Sequence, residues 1–311
     1  MNILTKHTLA LGLLALTALP ATAAGLVIGH SQPNLGWPYI AKVTTALEAA
    51  AKAEGVEVVT LSADGDIAKQ NTDIQTLINR GVNVLLVTSL DGAAVVPAIK
   101  AAKDAGIPVL AVSNEPNDAG KALIDGFSGP DDYVQGQIAA ELLHEALGGT
   151  GGIAVIEGSA GQSTTLLRTQ GLKDKLAELN SGITILGSQT ADWNPVKTKD
   201  VAQAFLTAYG DDLKGVFGQD DNMAAAAAEV FAEAGRKDIK VVGTGGTING
   251  LQAIRDGLMY GTMDQSPTTD AVQAFTFAKM LADGEKLPAA RNIIPMPKIT
   301  ADNVGEFKGE W

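Results

Sequence analysis

The sequence predicts an α/β protein of two Rossmann-like lobes, each with its own parallel sheet, joined by a three-segment hinge. Three observations carry this. Short apolar runs alternate with helical stretches from residue 26 to residue 113, the pattern of right-handed βαβ units. The alternation restarts past Gly129 and completes a second set. A helix at 267–281 and a short strand at 293–297 then follow without a sheet of their own, so they must join sheets already built. The chain is therefore expected to return to the first lobe and cross back, with crossings near 129–132, 264–266 and 292–296. The lobes become 25–130 plus 266–293, and 131–265 plus 294–311. At 311 residues and 46% hydrophobic composition, the chain can bury two ordinary cores.

Residues 1–24 stand apart. Lys6, an apolar stretch over 9–19 and the small residues Ala21-Thr22-Ala23 have the pattern of a cleavable secretory signal peptide, cut after Ala23. The apolar stretch is too short for an ordinary membrane span. Strand 26–31, helix 38–53, strand 56–62 and helix 67–79 follow. The nearly continuous apolar run 82–88 suits a central parallel strand. Asp91-Gly92 opens a helix that Gly106 stops, and 108–113 is the next strand. In the second set, helix 133–147 ends in the glycine-rich stretch 148–152. Strand 153–157, helix 164–179 and strand 183–190 come next, then a helix to 209 with Pro195 suited to its first turn. Strand 239–243, helix 248–257 and strand 259–265 close the set.

The organising stretch lies between, at 213–230. An apolar strand ends at Gln219, the triplet Asp220, Asp221 and Asn222 follows, and an alanine-rich helix begins. The triplet therefore sits at the carboxyl end of a parallel strand, where open α/β sheets bind ligands. One aspartate caps the helix. Asp221 is expected to do so, leaving Asp220 to face a cleft.

Composition removes several function classes. Without residues 1–24 the chain keeps 22 basic and 35 acidic residues, a net charge of −13, which argues against nucleic acid or an anionic membrane as partner. There is no cysteine, so disulfides, thiolate metal sites, cysteine nucleophiles and a lipid anchor on cysteine are excluded. A secreted chain without that anchor points to a periplasm. Only His30 and His144 lie beyond the signal peptide, so no histidine-rich metal site is expected, and no cofactor. An enzyme is disfavoured. Gly243-Thr244-Gly245-Gly246 lacks the glycine spacing of a dinucleotide fingerprint, and there is no P-loop. Gly158-Ser159-Ala160-Gly161 is not a nucleophile elbow. Asp220 and Asp221, being adjacent, diverge in direction and make a poor acid–base pair. A DNA-binding repressor would need a helix-turn-helix before the first strand, where a signal peptide stands.

Several stretches, in order, resemble the periplasmic sugar-binding proteins of the ribose, galactose and allose type. They are Gly106-Ile107-Pro108-Val109, Asp131 to Gly136, Arg168-Thr169-Gln170-Gly171-Leu172, Val216 to Ala224, Val241-Val242-Gly243-Thr244, and the closing Ile299-Thr300-Ala301-Asp302-Asn303-Val304. The resemblance covers residues 25–311. It implies the type I periplasmic binding protein fold, a small carbohydrate-like ligand gripped between the lobes, and delivery to an ABC permease in the inner membrane. A monomer is expected. A ligand sensor feeding a chemoreceptor or sensor kinase is the alternative role.

The resemblance also nominates a site. Trp37 and Tyr39 stand where the family carries paired aromatics, and Trp193 where it carries an aromatic from the second lobe. Arg168 matches the sugar-binding arginine, whose fork of donors can hold two oxygens. Asp220 stands where the family has Asn or Asp, and Gln265 matches a glutamine at the second crossing. Ser31 and Thr88 are weaker candidates. Ser113 and Asn114 replace a frequent Asp-Arg pair, and Thr244-Gly245-Gly246 replaces a frequent aspartate. At least three charged groups are thus missing. A ligand with fewer hydroxyls than a hexopyranose is expected: a small polyol, a deoxysugar or a furanose. With Asp220 kept and Glu157 and Glu115 placed nearby, an amino-substituted ligand stays open. Trp193→Ala and Arg168→Ala are each expected to weaken binding and spare the fold.

Overall fold

A computed structural model describes residues 25–311; the expected signal peptide lies outside them. Two six-stranded sheets organise the chain. The first contains β1 (Val27–Gln32), β2 (Glu57–Ser62), β3 (Val84–Val87), β4 (Val109–Val112), β5 (Gly126–Gly129) and β11 (Arg291–Ile293). The second contains β6 (Thr150–Glu157), β7 (Gly182–Thr190), β8 (Leu213–Gly218), β9 (Lys240–Val242), β10 (Gly261–Met263) and β12 (Lys298–Thr300). The orders β2-β1-β3-β4-β5-β11 and β7-β6-β8-β9-β10-β12 repeat one pattern. Every pairing is parallel except β10 with β12. The expected two-lobed α/β architecture is what forms.

Helices cover both faces of each sheet, because the central strands are apolar on both sides. Val84–Val87 and Val109–Val112 are buried throughout. In the first lobe α1 (Pro38–Ala53) and α10 (Pro267–Ala282) pack on one face, and α2 (Ile67–Arg80) and α3 (Val96–Asp104) on the other. In the second lobe α7 (Pro195–Tyr209), α8 (Asp221–Glu233) and α9 (Ile248–Arg255) share one core. The opposite face carries α5 (Asp132–Leu147) and α6 (Ser163–Glu178). Alanines 224–228 of α8 are all buried, and their small side chains let that helix lie close on its sheet.

α5 and α6 touch backbone to backbone. A Cβ on Gly136 would stand 2.1 Å from the Arg168 carbonyl oxygen, and one on Gly171 would stand 2.0 Å from that of Tyr133. These two glycines bring Arg168 down beside the start of α5.

Two local expectations are corrected. A short helix α4 (Asp118–Lys121) and β5 intervene before Gly129, where no strand was expected. β5 is Gly-Phe-Ser-Gly, with a single apolar residue, Phe127, and thus no run to read. The single late strand expected over 293–297 is instead two. β11 closes the first sheet, the chain passes over during 294–297, and β12 closes the second.

Candidate functional site

A cavity of about 890 Å³ opens between the carboxyl edges of the two sheets. Trp37, Tyr39, Asn114, Arg168, Trp193, Asp220 and Gln265 all line it. All but Arg168, which sits inside α6, follow a strand end or stand at the start of the next helix. Pro38 supplies the first residue of α1, leaving Trp37 at the N-cap with no side-chain cap bond. Tyr39, the second residue of α1, is buried with its hydroxyl donating to Asp270 Oδ2 at 2.8 Å.

Arg168 is also buried, and the protein already holds its donors. Nε lies 3.1 Å from both Asp132 Oδ1 and Gln135 Oε1, Nη1 donates to the Gln219 carbonyl, and Nη2 donates to Gln265 Oε1 at 3.0 Å. Gln135 Nε2 donates to the same Gln265 oxygen. The guanidinium thus joins α5, α6, the end of β8 and the second residue after β10. It is the hub of the cavity floor, with Nε, one Nη1 hydrogen and one Nη2 hydrogen held by the protein. Burial pushes the Asp132 carboxyl up to about 6, against the opposing pull of Arg168.

Trp193 is held in the left-handed region at φ 58°. Its ring lies against Gly158, where a Cβ would come within 1.9 Å of Cζ2, and the Arg168 guanidinium stands 5.8 Å from the ring centroid. Its Nε1 donates to Gln162 Oε1 at 2.6 Å. An indole N–H can only donate, so this bond fixes the orientation of the Gln162 amide. Gln162 lines the cavity and is 1% exposed, and its Nε2 has no partner among the described residues. Trp311 also lines the cavity. Neither carries a sequence signal: one is a polar loop residue, the other follows a polar stretch.

The helix cap is Asp220, not Asp221 as expected. Asp220 caps α8, its Oδ1 accepting from Asn222 N at 2.8 Å and Met223 N at 3.1 Å, and it also lines the cavity. Asp221 points inward, accepting from Thr262 Oγ1 at 2.6 Å and Thr247 N at 2.9 Å. The extended backbone at residue 220, φ −146° and ψ 143°, is the conformation a capping residue needs. Burial raises Asp220 to about 6 and Asp221 to about 7.

Three candidates do not line the cavity. Ser113 is buried and donates to Asp270 Oδ2 at 2.6 Å, so it orders the ring of polar groups behind Tyr39. Ser31 and Thr88 lie beneath the sheet edge, where Gln70 Nε2 donates to the Thr88 carbonyl at 2.8 Å and stands 3.4 Å from Ser31 Oγ. Glu115 and Glu157 are absent from the cavity wall as well. Glu115 pairs with Arg291 at 2.7 Å, and Glu157 accepts from Thr169 at 3.1 Å. Asn114 is joined to the second lobe: the Thr164 hydroxyl lies 3.0 Å from both Asn114 Oδ1 and Asp132 Oδ2.

Two α/β lobes with aromatic and polar side chains converging from both on one cavity define a two-lobed ligand-binding protein. The chain belongs to the periplasmic binding protein family: the periplasmic binding protein domain matches residues 28–286. It is similar to a xylitol-binding protein of Mycolicibacterium smegmatis, with 30% identity over 269 residues, 86% of this chain and 75% of that protein. It is similar to the ribose import binding protein of Escherichia coli, with 30% identity over 256 residues, 82% of this chain and 84% of that protein. Among solved structures, an ABC transporter solute-binding protein of Mycobacterium smegmatis with bound glycerol superposes with a TM-score of 0.85. Identity there is 32%, covering 92% of this chain and 98% of that one. A second structure from Mycobacterium smegmatis, in complex with β-D-fucofuranose, gives a TM-score of 0.83 at 26% identity, covering 91% and 93%.

Proposed function

We propose that this protein is a periplasmic solute receptor that captures a small neutral polyol or furanose between its lobes and delivers it to an ABC importer. The observation that carries the reading is the chemistry of the one cavity both lobes line. Trp37 and Trp193 offer ring faces to weakly apolar carbon surfaces. Asp220 offers acceptor capacity for hydroxyl donors, and the Gln162 amide nitrogen offers a donor. Arg168, which would otherwise attract a carboxylate or phosphate, is paired with Asp132 at 3.1 Å. Among charged lining residues Asp192, Asp220, Glu229 and Asp256 outnumber Arg168 and Lys199, so the local field disfavours an anion. The xylitol and ribose relatives, and the neighbours with glycerol and a furanose bound, support this class. Ligand contacts from both lobes would shift the population toward closure, the chain segments between the sheets absorbing the rotation.

A thermal-shift screen of the chain from residue 25 onward against xylitol, glycerol, ribose, fucose and the corresponding sugar acids tests the proposal. A neutral member should raise the melting temperature by mass action, and the acids should not. Silence from every neutral compound, or preference for an acid, would count against it. A protonated amino-polyol is a second reading, favoured by the Asp220 carboxylate in the cavity wall and by the excess of acidic over basic lining residues. It requires the amine to outcompete its hydroxyl counterpart in the same screen.

A further inference from the structure

Trp311 is tied to both lobes. Its backbone belongs to the second: the carbonyl accepts from Ile248 N at 2.9 Å, and Gly309 lies so close that a Cβ would stand 2.4 Å from that same nitrogen. Arg255 Nη2 fastens the preceding turn through the carbonyls of Val304 and Phe307, at 3.1 Å and 3.3 Å. Its ring belongs to the first: it packs against the core beneath α1 and meets Tyr39 edge-on, with centroids 5.2 Å apart at 65°. Glu310 makes the same passage, accepting from Ser266 Oγ at 2.6 Å and from Thr268 Oγ1 at the start of α10.

The ring is built into the cavity wall. On its other side Gly245 leaves it room, since a Cβ there would come within 2.8 Å of Trp311 Cζ2. The indole Nε1 is buried and has no hydrogen-bond partner among the described residues. A buried donor left unpaired is costly, and at the cavity wall a ligand oxygen would relieve that cost.

We infer that Trp311 is a specificity-determining ligand contact: its indole N–H donates to an oxygen of the bound polyol while its ring, pressed against Tyr39, forms the wall over which the lobes close. This rests on the polyol reading above and names a residue for it. Trp311 can only donate and Asp220 can only accept when ionised. A hydroxyl-bearing ligand satisfies both; an ether or alkane of the same shape does not.

The test is calorimetric titration of the chain from residue 25 onward, and of Trp311→Phe and Trp311→Leu, with xylitol and its monodeoxy analogues. Trp311→Phe keeps the ring and deletes the N–H. It should weaken xylitol by about 3- to 10-fold, the range of one neutral hydrogen bond, and leave one deoxy analogue unaffected. Trp311→Leu removes the wall and should cost more than Trp311→Phe for every analogue. Should Trp311→Leu not fold, Trp311→Phe with the deoxy series decides alone. Affinity for xylitol within twofold in Trp311→Phe, or an equal loss for all analogues, overturns the inference. If the unaltered chain binds neither xylitol nor any neutral compound of the screen, the polyol reading fails and this one with it.

Discussion

Arg168 shows how one residue can serve ligand and fold together. It was expected to be dispensable for folding, yet it neutralises Asp132 in a buried setting and ties together four chain segments. Breaking a buried pair from one side leaves a charge unpaired, so Arg168→Ala should cost about 3–5 kcal/mol of stability. Chemical denaturation would measure this; a loss under about 1 kcal/mol would mean the network is slack. Gln162 gives a cleaner probe. Gln162→Glu keeps an acceptor for the Trp193 N–H and exchanges the free amide nitrogen for oxygen. Affinity for the responding polyol should fall about tenfold with the fold intact, whereas a purely supporting role would leave the Kd unchanged. In the sequence, Asp220 stood out by its place just past a strand end, whereas Trp37, Tyr39, Arg168, Trp193 and Gln265 were nominated by the family resemblance of the stretches around them. The sequence could not separate Asp220 from Asp221, since neighbours at a strand–helix junction differ only in which one takes extended backbone. Gln162 and Trp311 became visible only when long-range packing turned them toward the cavity.

At the scale of elements, the α5–α6 contact sets where Arg168 stands. Gly171→Ala must push the helices apart against the Tyr133 carbonyl, and overpacking of this kind costs about 1–3 kcal/mol. The same shift would draw Arg168 away from Gln265, so Gly171→Ala should lower both melting temperature and ligand affinity. An alanine tolerated without change in either would show that the helices can slide. The long helices were legible from the regular alternation of strands and helices and from signals such as Gly106 and Pro195. β5 was not, because Phe127 alone buries into the core and its pairing with β4 and β11 is decided by partners distant in sequence.

Across the whole molecule, buried carboxylates give stability a pH dependence. Burial raises Asp132 and Asp220 to about 6, and Asp221 and Asp270 to about 7, above the ordinary value near 3.9. Groups raised in the folded state stabilise fully below their unfolded pKa, and that contribution is lost as pH rises through the folded pKa. His30, buried and lowered to about 3, acts oppositely, but only below its ordinary value near 6.5. Between about pH 6.5 and 8 the carboxylates are therefore unopposed by it, and the melting temperature of the ligand-free chain should fall across that interval. Calorimetry showing a rise there would contradict the assignment. Asp221→Asn should flatten the slope.

The late return of the chain to the first sheet has a consequence for biogenesis. α10 covers the apolar face of α1, and β11 completes the sheet edge beside β5, yet both are encoded after the entire second lobe. A growing polypeptide thus cannot complete its first sheet before its trailing part has emerged. Until then the surface of α1 awaiting α10 stays exposed and prone to association.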